Sequence, residues 1–279
     1  MSRNLSISSL FIFGYGHIGA ALADQVQVAG YAISATARTS EKRQFLQDQG
    51  IIAIDPADPE ALRLAITADA MLITPAPGDD GCPAFAALSG LPTLPPWIGY
   101  LSTTGVYGDR GGGWVFEDTE LRPNSAEGRR RVLAEQQWLS RGAEVFRLPG
   151  LYGPDRNVLL RLRDGTARRV DKPDHVFSRL HHDDCAMALM NSLARPRPGA
   201  VYNLCDDEPA SPNDVLVFGA RLLGLPLPPF TDITPSMARF YADNKRVSNA
   251  LAKAELGWTL QYPTYREGLS ALYAGLRKD

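Results

Sequence analysis

The sequence predicts an α/β fold built on a parallel sheet. Three observations carry this reading. Short apolar runs alternate with amphipathic stretches through the first half of the chain, glycines close the segments, and a glycine-rich turn joins the first run to the first amphipathic stretch. A strand, helix, strand rhythm of this kind requires right-handed crossovers and therefore parallel strands.

Each element has its own justification. Leu10–Phe13 is an apolar run that stops at Gly14 and reads as a buried strand. Ile18, Leu22 and Val26 follow at spacings of four, one face of a helix, and Gly30 stands where helices end. Tyr31–Thr36 reads as the second strand, and Ser40 opens a second helix that Gly50 closes. Ile51–Ile54 is a third strand, Pro59–Ala68 a helix, and Ala70–Thr74 a fourth strand. Residues Gly78 to Pro96 are rich in Gly and Pro and read as loop plus a short helix. Trp97–Ser102 is the fifth strand. Gly128–Arg141 is a helix with a partial apolar face (Val132, Trp138, Leu139), and Glu144–Leu148 is the sixth strand. After Gly153 the pattern changes to helices at Cys185–Ala194, Pro212–Leu223, Ser248–Leu256 and Tyr265–Leu276, with Pro-rich joints and one strand at Val201–Leu204.

Composition bounds the class. The 279 residues are 44% hydrophobic and 22% charged, which excludes a disordered or fibrous chain. With 29 basic and 31 acidic residues the net charge is −2, so no global field attracts nucleic acid or acidic membranes, and neither is expected as a partner. No run approaches the roughly 20 apolar residues that cross a bilayer. The first apolar run is shorter than the about 7–15 residues of a signal-peptide core. Cys82, Cys185 and Cys205 are far apart with no C-x-x-C, which argues against disulfides and structural zinc. A cytoplasmic protein with reduced thiols is expected.

The residues Gly14-Tyr15-Gly16-His17-Ile18-Gly19 match G-x-G-x-x-G between a strand and an amphipathic helix. In this setting the first glycine makes the tight turn, the second lets the backbone approach a pyrophosphate, and the third lets helix and strand pack closely. The helix N-terminus then offers free N–H groups to the anion. Selectivity for NAD often rests on an Asp or Glu about 20 residues on, at the end of the second strand. Here that place holds Arg38, Thr39 and Ser40, with no carboxylate before Glu41. A guanidinium with two hydroxyls suits a 2′-phosphate, so NADP is the expected cofactor, with NAD as the alternative.

Five further segments occur in order: Leu101-Ser-Thr-Thr-Gly-Val-Tyr-Gly108, Arg147-Leu-Pro-Gly-Leu-Tyr-Gly-Pro154, His181-His-Asp-Asp-Cys-Ala186, Val201-Tyr-Asn-Leu204 and Leu256-Gly-Trp258. Across nearly the whole chain they resemble the extended short-chain dehydrogenase/reductase family, the NAD(P)-dependent epimerases and dehydratases. The resemblance implies a Rossmann-type, doubly wound sheet over residues 1–153, rejoined by a late strand near 201–204. Residues 154–279 are then mainly a smaller C-terminal substrate-binding lobe. Thr74, Pro75 and Ala76 fall where relatives run along the nicotinamide half of the cofactor. The resemblance also allows a homodimer through helices that include Val132 to Leu139.

The same resemblance gives Thr103 the task of hydrogen-bonding a substrate oxygen. The family's Tyr-x-x-x-Lys is absent. Glu127 falls on the tyrosine and Arg131 on the lysine. Glu127 can act as a base only if burial raises its pKa toward working pH, whereas an adjacent arginine lowers it and cannot itself give up a proton. The two residues read equally as an i,i+4 surface ion pair. Relatives that act on nucleotide sugars bind phosphates near Asn244-Lys245-Arg246; a solvated helix start is the bland reading. Adjacent residues in His181–Asp184 do not share a helix face, so no metal is expected. The expected function is an NAD(P)-dependent oxidoreductase or epimerase acting on a small polar or sugar-like molecule. The alternative is a non-catalytic NADP-binding sensor.

Overall fold

The computed structural model describes residues 7–238 and 240–276. The chain forms two compact units from alternating stretches: Met1–Ser102, Arg130–Phe146 and Ala186–Tyr202 in the first, Thr103–Arg129, Arg147–Cys185 and Asn203–Asp279 in the second. In chain order the elements are β1 (Ser9–Phe13), α1 (His17–Val28), β2 (Ala32–Thr36), α2 (Ser40–Asp48), β3 (Ile52–Ile54), α3 (Pro59–Thr67), β4 (Ala70–Ile73), α4 (Pro83–Leu88) and β5 (Trp97–Thr103). A 3-10 turn (Thr104–Tyr107) follows, then β6 (Trp114–Val115), α5 (Ala126–Leu139), β7 (Glu144–Leu148), β8 (Gly150–Tyr152), α6 (Val158–Arg163), β9 (Arg179–His181) and α7 (His182–Ala194). The chain continues through β10 (Val201–Asn203), α8 (Pro212–Leu223), α9 (Pro235–Ala238), β11 (Arg246–Val247), α10 (Ala250–Leu256) and α11 (Tyr265–Leu276).

The sheet has seven parallel strands in the order β3-β2-β1-β4-β5-β7-β10. The order reverses between β1 and β4, the switch point outside which open α/β sheets bind ligands. Leu10, Phe11, Ile12, Met71, Leu72 and Ile73 are almost wholly buried because helices cover both faces, which is why these strands read as unbroken apolar runs. Phe11, Phe13, Met71, Ile73 and Tyr100 pack with Ala65, Leu88, Ala134 and Trp138 in one cluster. Trp138 meets Phe85 edge-on at 5.3 Å and donates its indole N–H to Cys82 Sγ at 3.3 Å. Removing such a ring from a core costs about 3–5 kcal/mol. Buried Glu144 accepts from Ser192 Oγ at 2.5 Å and from the Arg197 amide at 2.7 Å, and Trp97 Nε1 donates to Ser192 Oγ at 2.8 Å.

The second unit has its own apolar cluster, with Leu159 and Leu162 on α6, Val215, Leu216 and Ala220 on α8, and Tyr265 and Leu269 on α11. Two short pairs, β6 with β11 and β8 with β9, brace it. These strands and α6 have no counterpart in the periodicity. Each is two to six residues long, too short to show a period, and β6 finds its partner more than 120 residues away. The turn after β5 is a 3-10 helix where the sequence suggested only a motif. Among the described residues no helix is long and apolar enough to cross a membrane.

One buried carboxyl group gives this unit a pH dependence. Asp206 is 1% exposed, and burial pushes its carboxyl up to about 8 against the pull of the nearby Arg179 guanidinium. An ordinary carboxyl titrates near about 3.9. The folded chain therefore holds this proton where the unfolded chain releases it. The contribution is complete below about pH 4 and is lost as the pH rises through about 8. We expect the melting temperature to fall between about pH 5 and 8 more steeply in the native chain than in Asp206→Asn. Parallel slopes would show that Asp206 ionises like an exposed carboxylate.

Candidate functional site

At the switch point the first βα turn is held by three strand ends. Gly14 has φ +84, in the left-handed region. Its N–H donates to Thr36 Oγ1 at 2.8 Å, the Thr74 hydroxyl donates to its carbonyl, and the Thr74 amide donates to the Phe13 carbonyl at 3.1 Å. A Cβ on Gly14 would lie 2.9 Å from both Pro75 Cγ and Thr74 Oγ1. A Cβ on Gly19 would lie 3.2 Å from Ile12 Cγ2, so α1 packs directly on β1. Gly16 is different: extended backbone, and nothing within 4 Å of a Cβ placed there. It caps α1 without a side-chain hydrogen bond, and the first turn holds no acid. The helix therefore presents its N-terminal end over open space, a suitable anion seat. Ile18 is buried and anchors the helix, while His17 is exposed beside the turn.

The end of β2 lies against this turn. Thr36 and Ala37 are buried, and Arg38, Thr39 and Ser40 are exposed. Thr39 Oγ1 accepts from the Lys42 amide at 3.3 Å and caps α2. Glu41, the nearest carboxylate, is held below its usual range by hydrogen bonds to its own backbone, Thr39 and Ser40. It serves the helix end. Arg43 braces the loop by donating to the carbonyls of Ala37 and Arg38 at 2.9 and 2.8 Å and pairing with Asp55 at 2.9 Å. Lys42 Nζ stands 5.3 Å from the centre of the Tyr15 ring, and burial with Asp24 nearby pushes the Tyr15 phenol up to about 12. Thr74 and Pro75 are half-buried and Ala76 is exposed at the end of β4.

The expected catalytic residues fall differently. Thr103 ends β5, partly buried, and its Oγ1 accepts from the Gly105 amide at 3.1 Å. Its O–H stays available to donate elsewhere. Glu127 lies in the first turn of α5 and is exposed. Glu127 therefore lacks the burial on which the reading as a base depends. Arg131, one turn on, is partly buried and donates to the Leu101 carbonyl at 2.6 Å and to the Tyr100 hydroxyl at 3.2 Å. A further turn on, Glu135 is 1% exposed and accepts from Ser102 Oγ at 2.5 Å. Arg131 and Glu135 together bolt α5 to the end of β5.

In the second unit the basic pair near residue 245 is committed within the protein. Lys245 is buried and donates to the Gly108 carbonyl at 2.9 Å and to Asp243 at 3.0 Å, while Arg246 donates to the Gly112 carbonyl. The segment is thus not a solvated helix start: Arg246 lies in β11 and Lys245 is drawn into the protein. Asp184 accepts from the amides of Gln261 at 2.6 Å and Tyr262 at 3.1 Å, and its carbonyl accepts from Trp258 Nε1 at 3.1 Å. Sequence reasoning missed Thr36, Arg43 and the Ser102–Glu135 pair. No spacing signals them, because each acts on a group set beside it by the fold.

Glycine substitutions separate the roles of the turn. Gly14→Ala, with positive φ and no room for a methyl, should cost at least about 1–3 kcal/mol in urea unfolding. Gly16→Ala, extended and unobstructed, should cost clearly less. Equal losses would contradict this division.

No protein-family model matches the chain. It is 32% identical over 272 residues to Protein YeeZ of Escherichia coli (strain K12), across 90% of this chain and 95% of that protein. A functionally unknown conserved protein from Silicibacter pomeroyi DSS superposes with a TM-score of 0.90 at 43% identity, over 96% of this chain and 99% of the other. dTDP-glucose 4,6-dehydratase from Bacillus anthracis str. Ames, solved in complex with NAD, superposes with a TM-score of 0.79 at 18% identity over 97% of each chain, a likeness of fold. The chain has the Rossmann-type fold seen in nucleotide-sugar dehydratases and, by its likeness to the Escherichia coli protein over nearly the whole of both chains, belongs to the YeeZ family.

Proposed function

We propose that this chain binds NAD(P) and is of the epimerase, dehydratase or reductase type, acting on a small polar or sugar-like substrate. The observation that carries the reading is Gly16: an unobstructed backbone at an uncapped helix end, on the switch point of the sheet. The backbone N–H groups of His17, Ile18 and Gly19 at the helix end would hold the pyrophosphate, and Gly14, Tyr15 and Gly16, whose N–H groups are engaged within the turn, would shape the seat. Thr74, Pro75 and Ala76 would run along the nicotinamide half. The NAD complex of the dehydratase of like fold supports this assignment. Bound nicotinamide supplies hydride transfer. Thr103 would orient the reacting oxygen with its free O–H.

Within this reading NADP is preferred to NAD. The Arg38 side chain is exposed and makes no hydrogen bond or ion pair among the described residues, and Thr39 and Ser40 stand beside it. Glu41 is turned to the α2 end and does not offer a ribose diol its usual carboxylate partner.

A second reading, a non-catalytic NADP-binding sensor, is favoured by α5. Glu127 is exposed and Arg131 is held by Leu101 and Tyr100, so this helix offers no evident proton relay. Loading the protein with NADPH and screening carbonyl compounds and sugar nucleotides for loss of nicotinamide absorbance separates the two. Turnover on any of them supports the enzyme; stoichiometric binding without turnover supports the sensor.

Two substitutions test the cofactor assignment. Gly16→Val should keep the fold, judged by its melting temperature, yet weaken NADPH binding by about tenfold or more, because the side chain occupies the anion seat. Arg38→Ala should weaken NADPH by about 10–100-fold, the worth of a charge-assisted hydrogen bond, and leave NADH nearly unchanged. Equal losses for both coenzymes would remove Arg38 from 2′-phosphate recognition.

A further inference from the structure

Three basic residues follow β2, and the fold uses them differently. Arg43 is spent on the loop, bonded to the Ala37 and Arg38 carbonyls and paired with Asp55. The Arg38 side chain is exposed and has no partner among the described residues. Lys42, in the first turn of α2, is the third. It is half-buried, and among the described residues its ammonium meets no hydrogen-bond acceptor and no carboxylate. It lies instead against two aromatic rings, 4.6 Å from the centre of Phe45 and 5.3 Å from that of Tyr15. Both distances fall within the about 6 Å over which a ring face attracts a cation. Phe45 stands three positions on in α2, on the same side of the helix. Tyr15 belongs to the phosphate turn, and its amide is fixed to the Thr36 carbonyl at 3.2 Å. The Lys42 ammonium is thus held beside that turn.

The charges of this segment select what it binds. Arg43 and Asp55 cancel each other. The side chains of Thr39 and Ser40 hydrogen-bond the Glu41 carboxylate, which leaves Arg38 and Lys42 as the donors still open to a ligand. Glu41 offsets one of these two cations. With Arg38 alone the segment would be neutral; with Lys42 it carries one surplus positive charge. A ribose diol gains nothing from that surplus. A phosphomonoester, with about 1.5–2 negative charges at pH 7, gains directly. A cation–π contact is also weaker than a charge-assisted hydrogen bond to phosphate, so such an anion can draw the ammonium from the rings. The flexible lysine stem allows this without movement of α2.

We propose that Lys42 is a second reader of the adenosine 2′-phosphate, acting with Arg38, and that the Tyr15 ring positions its ammonium. The proposal rests on the dinucleotide-binding reading and adds to it the residue that tips the charge balance toward the phosphorylated coenzyme. The test is calorimetric titration of the full chain with 2′,5′-ADP, which carries the phosphate, and 5′-AMP, which lacks it. The native chain should bind 2′,5′-ADP the more tightly. Lys42→Met should keep the melting temperature, weaken 2′,5′-ADP by about tenfold or more and move 5′-AMP by less than about twofold. Lys42→Gln gives the same comparison should the methionine variant fold poorly. Lys42→Arg keeps the charge and should stay within about threefold of the native chain. Tyr15→Leu should weaken 2′,5′-ADP by about threefold in the native background and by less once Lys42 is replaced, because a positioning residue acts only through its partner. Equal losses for both nucleotides, no loss of 2′,5′-ADP on removing the ammonium, tighter native binding of 5′-AMP, or full additivity with Tyr15→Leu overturns the proposal and leaves the dinucleotide-binding reading standing. Failure of the native chain to bind either nucleotide, NADH or NADPH overturns both.

Discussion

The structure depends on how three strand ends meet at Gly14. Its amide is fixed by Thr36 on β2, its carbonyl by the Thr74 hydroxyl just past β4, and its missing side chain by Pro75. Because β1 pairs with both β2 and β4, this clamp sets the depth at which the first helix begins. Gly19 then lets α1 lie on Ile12 without a gap. Neither contact is strong alone. Their effect is geometric: the end of α1 is held over open space by a frame with little freedom to adjust.

A second frame lies across β5. Arg131 and Glu135, one turn apart on α5, take the Leu101 carbonyl and the Ser102 hydroxyl. In the family that this chain resembles, the helix at this position carries a proton relay. Here Arg131 and Glu135 hold the strand end, and the carboxylate Glu127 faces solvent. The structure gives Arg131 and Glu135 a positioning task.

The legible parts of the fold were the local ones. Leu10–Phe13, Glu144–Leu148 and the helix with Ile18, Leu22 and Val26 announce themselves because burial on two faces or on one face leaves a short-range period. The spatial demands on Gly16 and Gly19 were likewise open to reading, since each follows from a strand, a turn and a helix adjacent in sequence, whereas Gly14 is crowded by the distant Thr74 and Pro75. What could not be read depends on distant partners. Nothing near Trp114–Val115 foretells a pairing with Arg246–Val247. The i,i+4 spacing of Glu127 and Arg131 says that they share a helix face, but depth along that face is decided by β5, so one is exposed and the other is drawn inward. The trapped carboxyl of Asp206 arises in the same way, from segments that meet only after folding.

The alternation of stretches between the two units bears on synthesis at the ribosome. The first unit draws its last stretch from Ala186–Tyr202, so its sheet, including the edge strand β10, can close while the C-terminal segment is still being made. The second unit takes its last stretch from the very end of the chain, and α11 supplies part of its core. During elongation the residues 103–129 and 147–185 must therefore wait, with Leu159 and Leu162 uncovered, until α8 and α11 emerge. Nascent chains that pause in this interval expose apolar surface, which makes this the stage at which a chaperone would matter most.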